Sequence, residues 1–287
     1  MTGPPPPERL DDEAEDGVVD LVDVTLEAQA FDDGDDGFDL LTAAALLPRV
    51  DNRRADVAAV VDAVDRWAEQ VRERLHHAGS VVAMHDVLFA TAGLRGETHD
   101  YDAPTNSFLD DVVRRRRGLP IALSVLVLAV AERAGVRAWG LALPQHFLVA
   151  VFVDDERFAI VDPFEAGRLL SPPEIEKRTG VPQGELPELL QPASGSTILR
   201  RMLVNLRGSY GRRGLYEPLC RVLSRLLIVA PRDPQLLLER AGVRRLCLDD
   251  DGARQDALAA RACARGDDDV ERAVAHLLAR LDERFLH

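Results

Sequence analysis

Gly118-Leu-Pro-Ile-Ala-Leu-Ser-Val-Leu-Val-Leu-Ala-Val-Ala-Glu-Arg-Ala-Gly135 is the most apolar segment of the chain. Pro120 suits the first turn of a helix, where a missing N–H costs nothing. Nearly every face from Ile121 to Ala131 is apolar, so a helix over 119–134 is expected to be buried all round. Gly135 ends it. Three β-type runs follow, Ala138–Leu143, His146–Val153 and Phe158–Val161, with Asp154-Asp-Glu156 as the turn between the last two. A buried helix packed on a small antiparallel sheet makes an α+β core.

The flanks on both sides read as helices. Upstream, Val57, Val60, Val61, Val64, Ala68 and Val71 recur at helical spacing within Ala55–Leu75. A second helix is expected over Val81–Thr91, ended near Gly93. The loop Arg95–Thr105 then leads to a helix over Ser107–Arg116, with Asn106 or Ser107 as its N-cap. Downstream, Thr197–Arg212, Tyr216–Val229, Gln235–Leu248, Gly252–Ala264 and Val270–Phe285 are separated by Gly214, Pro231 and Pro234, Asp249–Asp251 and Gly266. Such helix pairs suggest either tetratricopeptide-type repeats with a period near about 34 residues or an ordinary helical bundle. The expected organisation is an acidic, disordered extension over 1–38, an α+β domain over 39–192, and a helical, repeat-like domain over 193–287.

Charge sets the extension apart. The chain has 287 residues and a formal charge of −14, with 49 acids and 35 bases. Glu8 to Asp39 contains 14 acids and one base, Arg9, so this segment supplies −13 and leaves 35 acids against 34 bases elsewhere. A nearly neutral body with a polyanionic extension argues against a nucleic-acid partner, which calls for net positive surface. Within the extension, Val18, Val19, Leu21, Val22, Val24 and Leu26 are compatible with an amphipathic helix or a short strand that docks elsewhere. The longest apolar run, Val125–Ala131, is too short to span a membrane. The N-terminus has neither the basic nor the apolar region of a signal peptide. Three cysteines, Cys220, Cys247 and Cys263, with no CxxC, point to free, mostly buried thiols in a reducing cytoplasm.

The motifs cluster around the buried helix. They are Tyr101-Asp-Ala-Pro-Thr-Asn106-Ser107-Phe-Leu109, Arg116-Arg-Gly118-Leu-Pro120-Ile-Ala-Leu-Ser124, Pro144-Gln145-His146-Phe-Leu-Val149, and Val161-Asp162-Pro-Phe164 followed by Gly167-Arg-Leu-Leu170. Ile198-Leu-Arg-Arg-Met-Leu-Val-Asn-Leu206 opens the helical tail. Together these resemble the SirB-type branch of the transglutaminase-like family, a papain-type architecture with a tetratricopeptide-type tail. The resemblance implies a Cys–His–Asp site: a thiol at the helix N-terminus, an imidazole that takes its proton, and a carboxylate that fixes the tautomer. His146 and Asp162 fall where the family's His and Asp fall. The position of the Cys is taken by Pro120, which offers no nucleophile, and Gln145 stands where Gly is usual.

What remains is a His146–Asp162 pair without its reactive partner, expected to lie within hydrogen-bond reach at the mouth of a cleft. Asn106, Ser107, Arg117, Pro120, Ser124 and Gln145 are candidate cleft residues. Ser124 lies one turn after Pro120 and is read as a small packing residue rather than a substitute nucleophile. Of the four consecutive arginines Arg114–Arg117, at least one must turn inward on a helix. His76, His77, His85 and His99 lack metal-ligand spacing, so neither a metal nor a cofactor is expected. The leading function is a non-catalytic scaffold that binds a peptide or protein. The alternatives are a hydrolase or acyl-transferase using His146 as general base, and a regulatory scaffold whose acidic extension docks on its own arginines. The sequence leaves the oligomeric state open.

Overall fold

The computed structural model describes residues 39–144, 146–264 and 266–284; the expectations for 1–38 and for Gln145 lie outside these residues. Helix α1 (Leu40–Ala45), capped by Asp39, leads through a 3₁₀ turn (Leu47–Asp51) into the long α2 (Val57–Leu75). Helix α3 (Ser80–His85) runs on into a π-helical turn (Asp86–Thr91), so the single helix expected over this span changes its hydrogen-bond register midway. β1 (Arg95–Gly96), a 3₁₀ turn (Pro104–Asn106), α4 (Leu109–Arg115) and β2 (Arg117–Gly118) follow. β1 and β2 pair in parallel.

The buried helix is α5 (Pro120–Ala134), with Pro120 at its first position and Gly135 closing it in the left-handed conformation at φ 73°. It is buried as the composition requires: Leu123, Leu126 and Val130 are fully enclosed. β3 (Ala138–Leu141), β4 (Leu148–Phe152), β5 (Phe158–Asp162) and β6 (Arg168–Leu170) form one antiparallel sheet in sequential order. Alternation divides the side chains between two faces. Phe147, Val149, Val151 and Val161 join the main core with α5. Leu141, Leu148, Ala150, Ile160 and Leu170 form a second cluster under α6 (Pro172–Thr179) and the short α7 (Leu186–Leu189). The helical tail is α8 (Gly195–Arg213), α9 (Tyr216–Val229), α10 (Pro234–Leu246), α11 (Asp250–Cys263) and α12 (Asp268–Arg284), each packed on the next. Ile198, Leu199 and Met202 of α8 belong to the same apolar cluster as α5.

Two corrections concern local structure. Neither Asn106 nor Ser107 caps α4; the N-cap is Phe108, without a side-chain bond. Asn106 is instead fully buried, donating from Nδ2 to the carbonyls of Asp100 (2.6 Å) and Tyr101 (3.1 Å) and accepting from Arg115 (3.0 Å). The thiols are also not buried: Cys220 and Cys247 are half-buried and Cys263 is exposed.

The segments around the start of α5 are knitted by backbone bonds. Arg95 N–H donates to Arg116 C=O, Glu97 N–H to Gly118 C=O, Gly96 N–H to Phe164 C=O, and Leu119 N–H to Asn106 C=O. This closeness demands glycine twice. A Cβ on Gly96 would lie 2.4 Å from the Phe164 ring, and one on Gly118 would lie 2.8 Å from Val112 and 3.2 Å from the Asn106 carbonyl. Gly96→Ala and Gly118→Ala are each expected to lower stability by about 1–3 kcal/mol through overpacking. Urea midpoints measure this, and an unchanged midpoint for both would contradict the packing.

Candidate functional site

The loop over 97–106 is built around polar anchors. Backbone N–H groups, that of His99 above all (2.8 Å), hold the Glu97 carboxyl below the ordinary carboxylate range, with Arg117 adding to the effect. Arg117 is half-buried and sits in β2, in register with Arg95. The far end of the loop is tied to α8: Ser209 donates to the Asp102 carbonyl, Arg212 pairs with Asp102 and Arg213 with Asp100. Tyr101 stays 48% exposed, and its ring meets Phe164 edge-on at 6.0 Å between centroids. An aromatic pair thus stands beside the N-terminus of α5, since Phe164 packs on Gly96 and Gly96 pairs with Gly118.

The helical phase expected over Arg114–Arg117 does not hold: α4 ends at Arg115, Arg116 caps it in the left-handed conformation at φ 60°, and Arg117 lies in β2. Arg114 pairs with Asp111, Arg115 reaches inward to the Thr105 carbonyl (2.7 Å) and Asn106, and Arg116 stacks over Trp67 at 4.9 Å. Asp111 is almost wholly buried and also takes Arg53 at 2.7 Å, which pins α4 to the turn ahead of α2. Ser107 is buried as well. The Ser124 hydroxyl donates to the Pro120 carbonyl one turn earlier (2.8 Å), the back-bonding of a packed helix serine.

The expected hydrogen bond between His146 and Asp162 is not formed. Asp162, 3% exposed, has both carboxylate oxygens occupied. Oδ1 accepts the N–H groups of Phe164 (2.9 Å) and Glu165 (3.3 Å), and Oδ2 accepts from Arg178 of α6 at 2.7 Å. The reason is strand parity. Asp162 alternates with Val161, which faces α5, and shares its side of the sheet with Ile160, which faces α6. The carboxylate therefore stands on the face away from the buried helix. His146 precedes β4; its N–H donates to Leu143 C=O (3.2 Å) and its C=O accepts from Arg201 (3.3 Å). Phe147, its neighbour, fills the core position toward α5 and carries Arg201 over its ring at 5.5 Å.

Arg178 and Glu165 were not expected from the sequence. Arg178 bridges Asp162 and Glu165, each at 2.7 Å, and Glu165 also pairs with Arg168 at 3.0 Å. Hydrogen bonding from Arg178, then from Arg168, holds the Glu165 carboxyl below its ordinary range. A signal was present: Ser171-Pro-Pro-Glu174 is a capping box that announces a helix starting there, and Arg178 falls on that helix. No group of three or more metal-binding side chains occurs among the described residues. No described helix is long and apolar enough to cross a membrane.

Thiol chemistry follows from placement. The three cysteines all lie in the tail, and burial pushes the Cys247 thiol up. Iodoacetamide at pH 6 should find no fast-reacting thiol; at pH 8, Cys263 should alkylate first and Cys247 last. Peptide mapping of the alkylated chain checks this order, and a thiol modified rapidly at pH 6 would contradict it.

Comparison with known proteins agrees with this architecture. Residues 58–204 match the transglutaminase-like superfamily. A UPF0162 protein of Xylella fastidiosa is 32% identical over 217 residues, covering 72% of this chain and 77% of that protein. A UPF0162 protein of Vibrio cholerae is 28% identical over 152 residues, 52% of this chain and 56% of the other. Human F-box only protein 21 is 30% identical over 169 residues, 55% of this chain but 27% of that longer protein.

Proposed function

Because the chain belongs to the transglutaminase-like superfamily, we propose that it is a non-catalytic member, a scaffold that binds a peptide or protein segment beside the N-terminus of α5. The observation that carries this reading is the state of the three positions where the superfamily's chemistry would reside. Position 120 is proline, at the first residue of α5. The Asp162 carboxylate is bound by Arg178 on the opposite face of the sheet. A base without an orienting carboxylate and without a nucleophile forfeits most of what such a site supplies.

What the region offers instead is a recognition surface. Tyr101 and Phe164 present an aromatic pair, the residue type that dominates interface hot spots. The half-buried Arg117 and Glu97 beside it supply one charge of each sign. The antiparallel tail extends the surface, and a tetratricopeptide-type reading of α8–α12, the SirB-type arrangement, fits a chain that holds peptides in grooves. In the human relative the similar stretch is 27% of a longer chain, which agrees with a domain used as one part of a larger protein. A cytoplasmic location goes with this reading.

The test is selection of peptides from a displayed library on the full chain, followed by calorimetry and mass spectrometry of bound peptide. The expected result is micromolar binding, weakened about tenfold or more by Tyr101→Ser, with the peptide recovered intact. A peptide recovered cleaved or acylated would overturn the non-catalytic reading. Binding untouched by Tyr101→Ser would remove it from this surface.

A further inference from the structure

β3 is the outer strand of the main sheet, and its free side opens into a groove. Two bonds fix the direction of its backbone groups. Arg137 C=O accepts the N–H of Phe152 in β4, so residues 137, 139 and 141 turn their backbone groups toward β4. Gly140 C=O accepts the N–H of Ala193 at 2.9 Å, on the opposite side. Alternation therefore sends the N–H and C=O of Ala138 and the N–H of Gly140 outward as well. These three groups have no partner among the described residues. A row of unpaired backbone groups on a sheet edge is a template for one more strand.

The groove has a volume of about 1050 Å³. β3 forms one wall, the C-terminal half of α5 the other, and the start of α8 closes one end. Val125, Leu128 and Ala129 of α5 give it an aliphatic strip, and charged groups stand on its rim. The Trp139 ring packs elsewhere, on Phe152 at 4.5 Å and Phe158 at 5.8 Å, on the α6 side of the sheet. A helix laid in this groove would leave the outward groups of β3 unpaired. An extended segment satisfies them and sets alternate side chains against the aliphatic strip. Charge adds a second requirement. Arg133 is engaged by Asp65 at 2.7 Å, and Arg137 by the carbonyls of Asp154 and Asp155 at 3.1 and 2.6 Å. Glu132 is exposed and has no ion pair among the described residues. The C-terminus of α5 adds the negative end of its dipole. The charge left over at the Ala138 end of the groove is therefore negative.

We propose that the free edge of β3 is a docking site for an extended peptide that carries a basic residue. The peptide joins the sheet as a strand through the outward groups of Ala138 and Gly140, with its basic side chain beside Glu132. Backbone bonds supply the attachment, and the Glu132 carboxylate selects the charge of the partner. This site lies at the opposite end of α5 from the Tyr101 surface and does not depend on peptide binding there.

The probe is a synthetic library of acetylated, amidated heptapeptides with valine at alternate positions and the others varied, selected on the full chain. Arginine or lysine should be enriched at a varied position. Ala138→Pro removes one outward N–H and none of the bonds to β4, and should weaken binding of the selected pool about tenfold or more. Glu132→Gln should weaken it about threefold or more and remove the preference for a basic residue. Glu132 is exposed, so this variant keeps the test decisive should proline unsettle β3. Tyr101→Ser should leave binding unchanged. The Ala138 and Gly140 amides should exchange freely in the chain alone, and at least about tenfold more slowly with the pool at saturation. No binding, selection without a basic residue, or full affinity in both Ala138→Pro and Glu132→Gln overturns the proposal. Binding lost in Tyr101→Ser overturns it too, because the peptides would then sit at the other surface. So does protection of both amides in the chain alone, because the edge would already be paired.

Discussion

Arg178→Ala should destabilise the chain by about 3 kcal/mol, although position 178 lies in no motif that marks the superfamily. Its guanidinium is the partner of a carboxylate that is 3% exposed. Truncation leaves Asp162 buried and charged, and the cost of an unpaired buried charge exceeds the net worth of the pair. His146→Ala should cost less than about 1 kcal/mol, because its ring has no tie to that carboxylate. A double-mutant cycle separates the two roles. Asp162 and Arg178 should couple by about 1–3 kcal/mol, and Asp162 and His146 by close to zero. The acid limb carries the same information. Glu165 is held low by Arg178 and then Arg168, and Glu174 by Ser171 N–H and hydroxyl bonds. Their folded values lie below the unfolded value of about 4.3. The stability they contribute is therefore present above about pH 4.3 and is lost as pH falls through the lower folded values. Arg178→Ala should flatten that loss, as read from urea midpoints between about pH 5 and 2.

The second large effect lies in the tail. Asp256 is 4% exposed and accepts a two-pronged contact from Arg240, at 2.8 Å from Nε and 2.7 Å from Nη2. Arg244 adds a contact at 3.3 Å, and Arg240 also reaches Ser224 Oγ on α9 at 3.1 Å. One carboxylate thus joins α9, α10 and α11. Asp256→Ala should cost about 3–5 kcal/mol by leaving two largely buried arginines without their acid. The loss should be local first, with protease cleavage near the Cys247–Asp249 turn appearing before the core unfolds. Protection of that turn unchanged in Asp256→Ala would show that the network contributes little.

The buried helix was fully legible because an all-apolar run between Pro120 and Gly135 has one compact solution. The tail helices were legible to within two or three residues because glycine, proline and acidic N-caps bracket them. The hairpin between β4 and β5 was legible from Asp154-Asp-Glu156, whereas β6 and the parallel β1–β2 pair were not. What the sequence did not carry was which face of β5 Asp162 occupies. Strand alternation inverts with a one-residue shift of register, and nothing in Val161-Asp-Pro-Phe164 declares the register. The motif placed Asp162 at the right point along the chain, and Arg178 of α6, sixteen residues on, holds it on the α6 face. Asn106 was misread for a similar reason. An Asn before a helix is a good N-cap by composition, whereas here its amide bonds two carbonyls of its own loop and no helix N–H.

The non-catalytic proposal rests on the absence of a His146–Asp162 contact aimed at the start of α5. Installing a thiol there tests it most directly. In Pro120→Cys, Pro120→Cys/His146→Ala and Pro120→Cys/Asp162→Asn, the rate of acylation by p-nitrophenyl acetate is measured from the release of p-nitrophenolate. A helix N-terminus favours the thiolate in all three. The three rates should agree within about threefold, since no general base is aligned on position 120. A Pro120→Cys rate about 10²-fold or more above those of both double variants would show an aligned imidazole and carboxylate, and would contradict it.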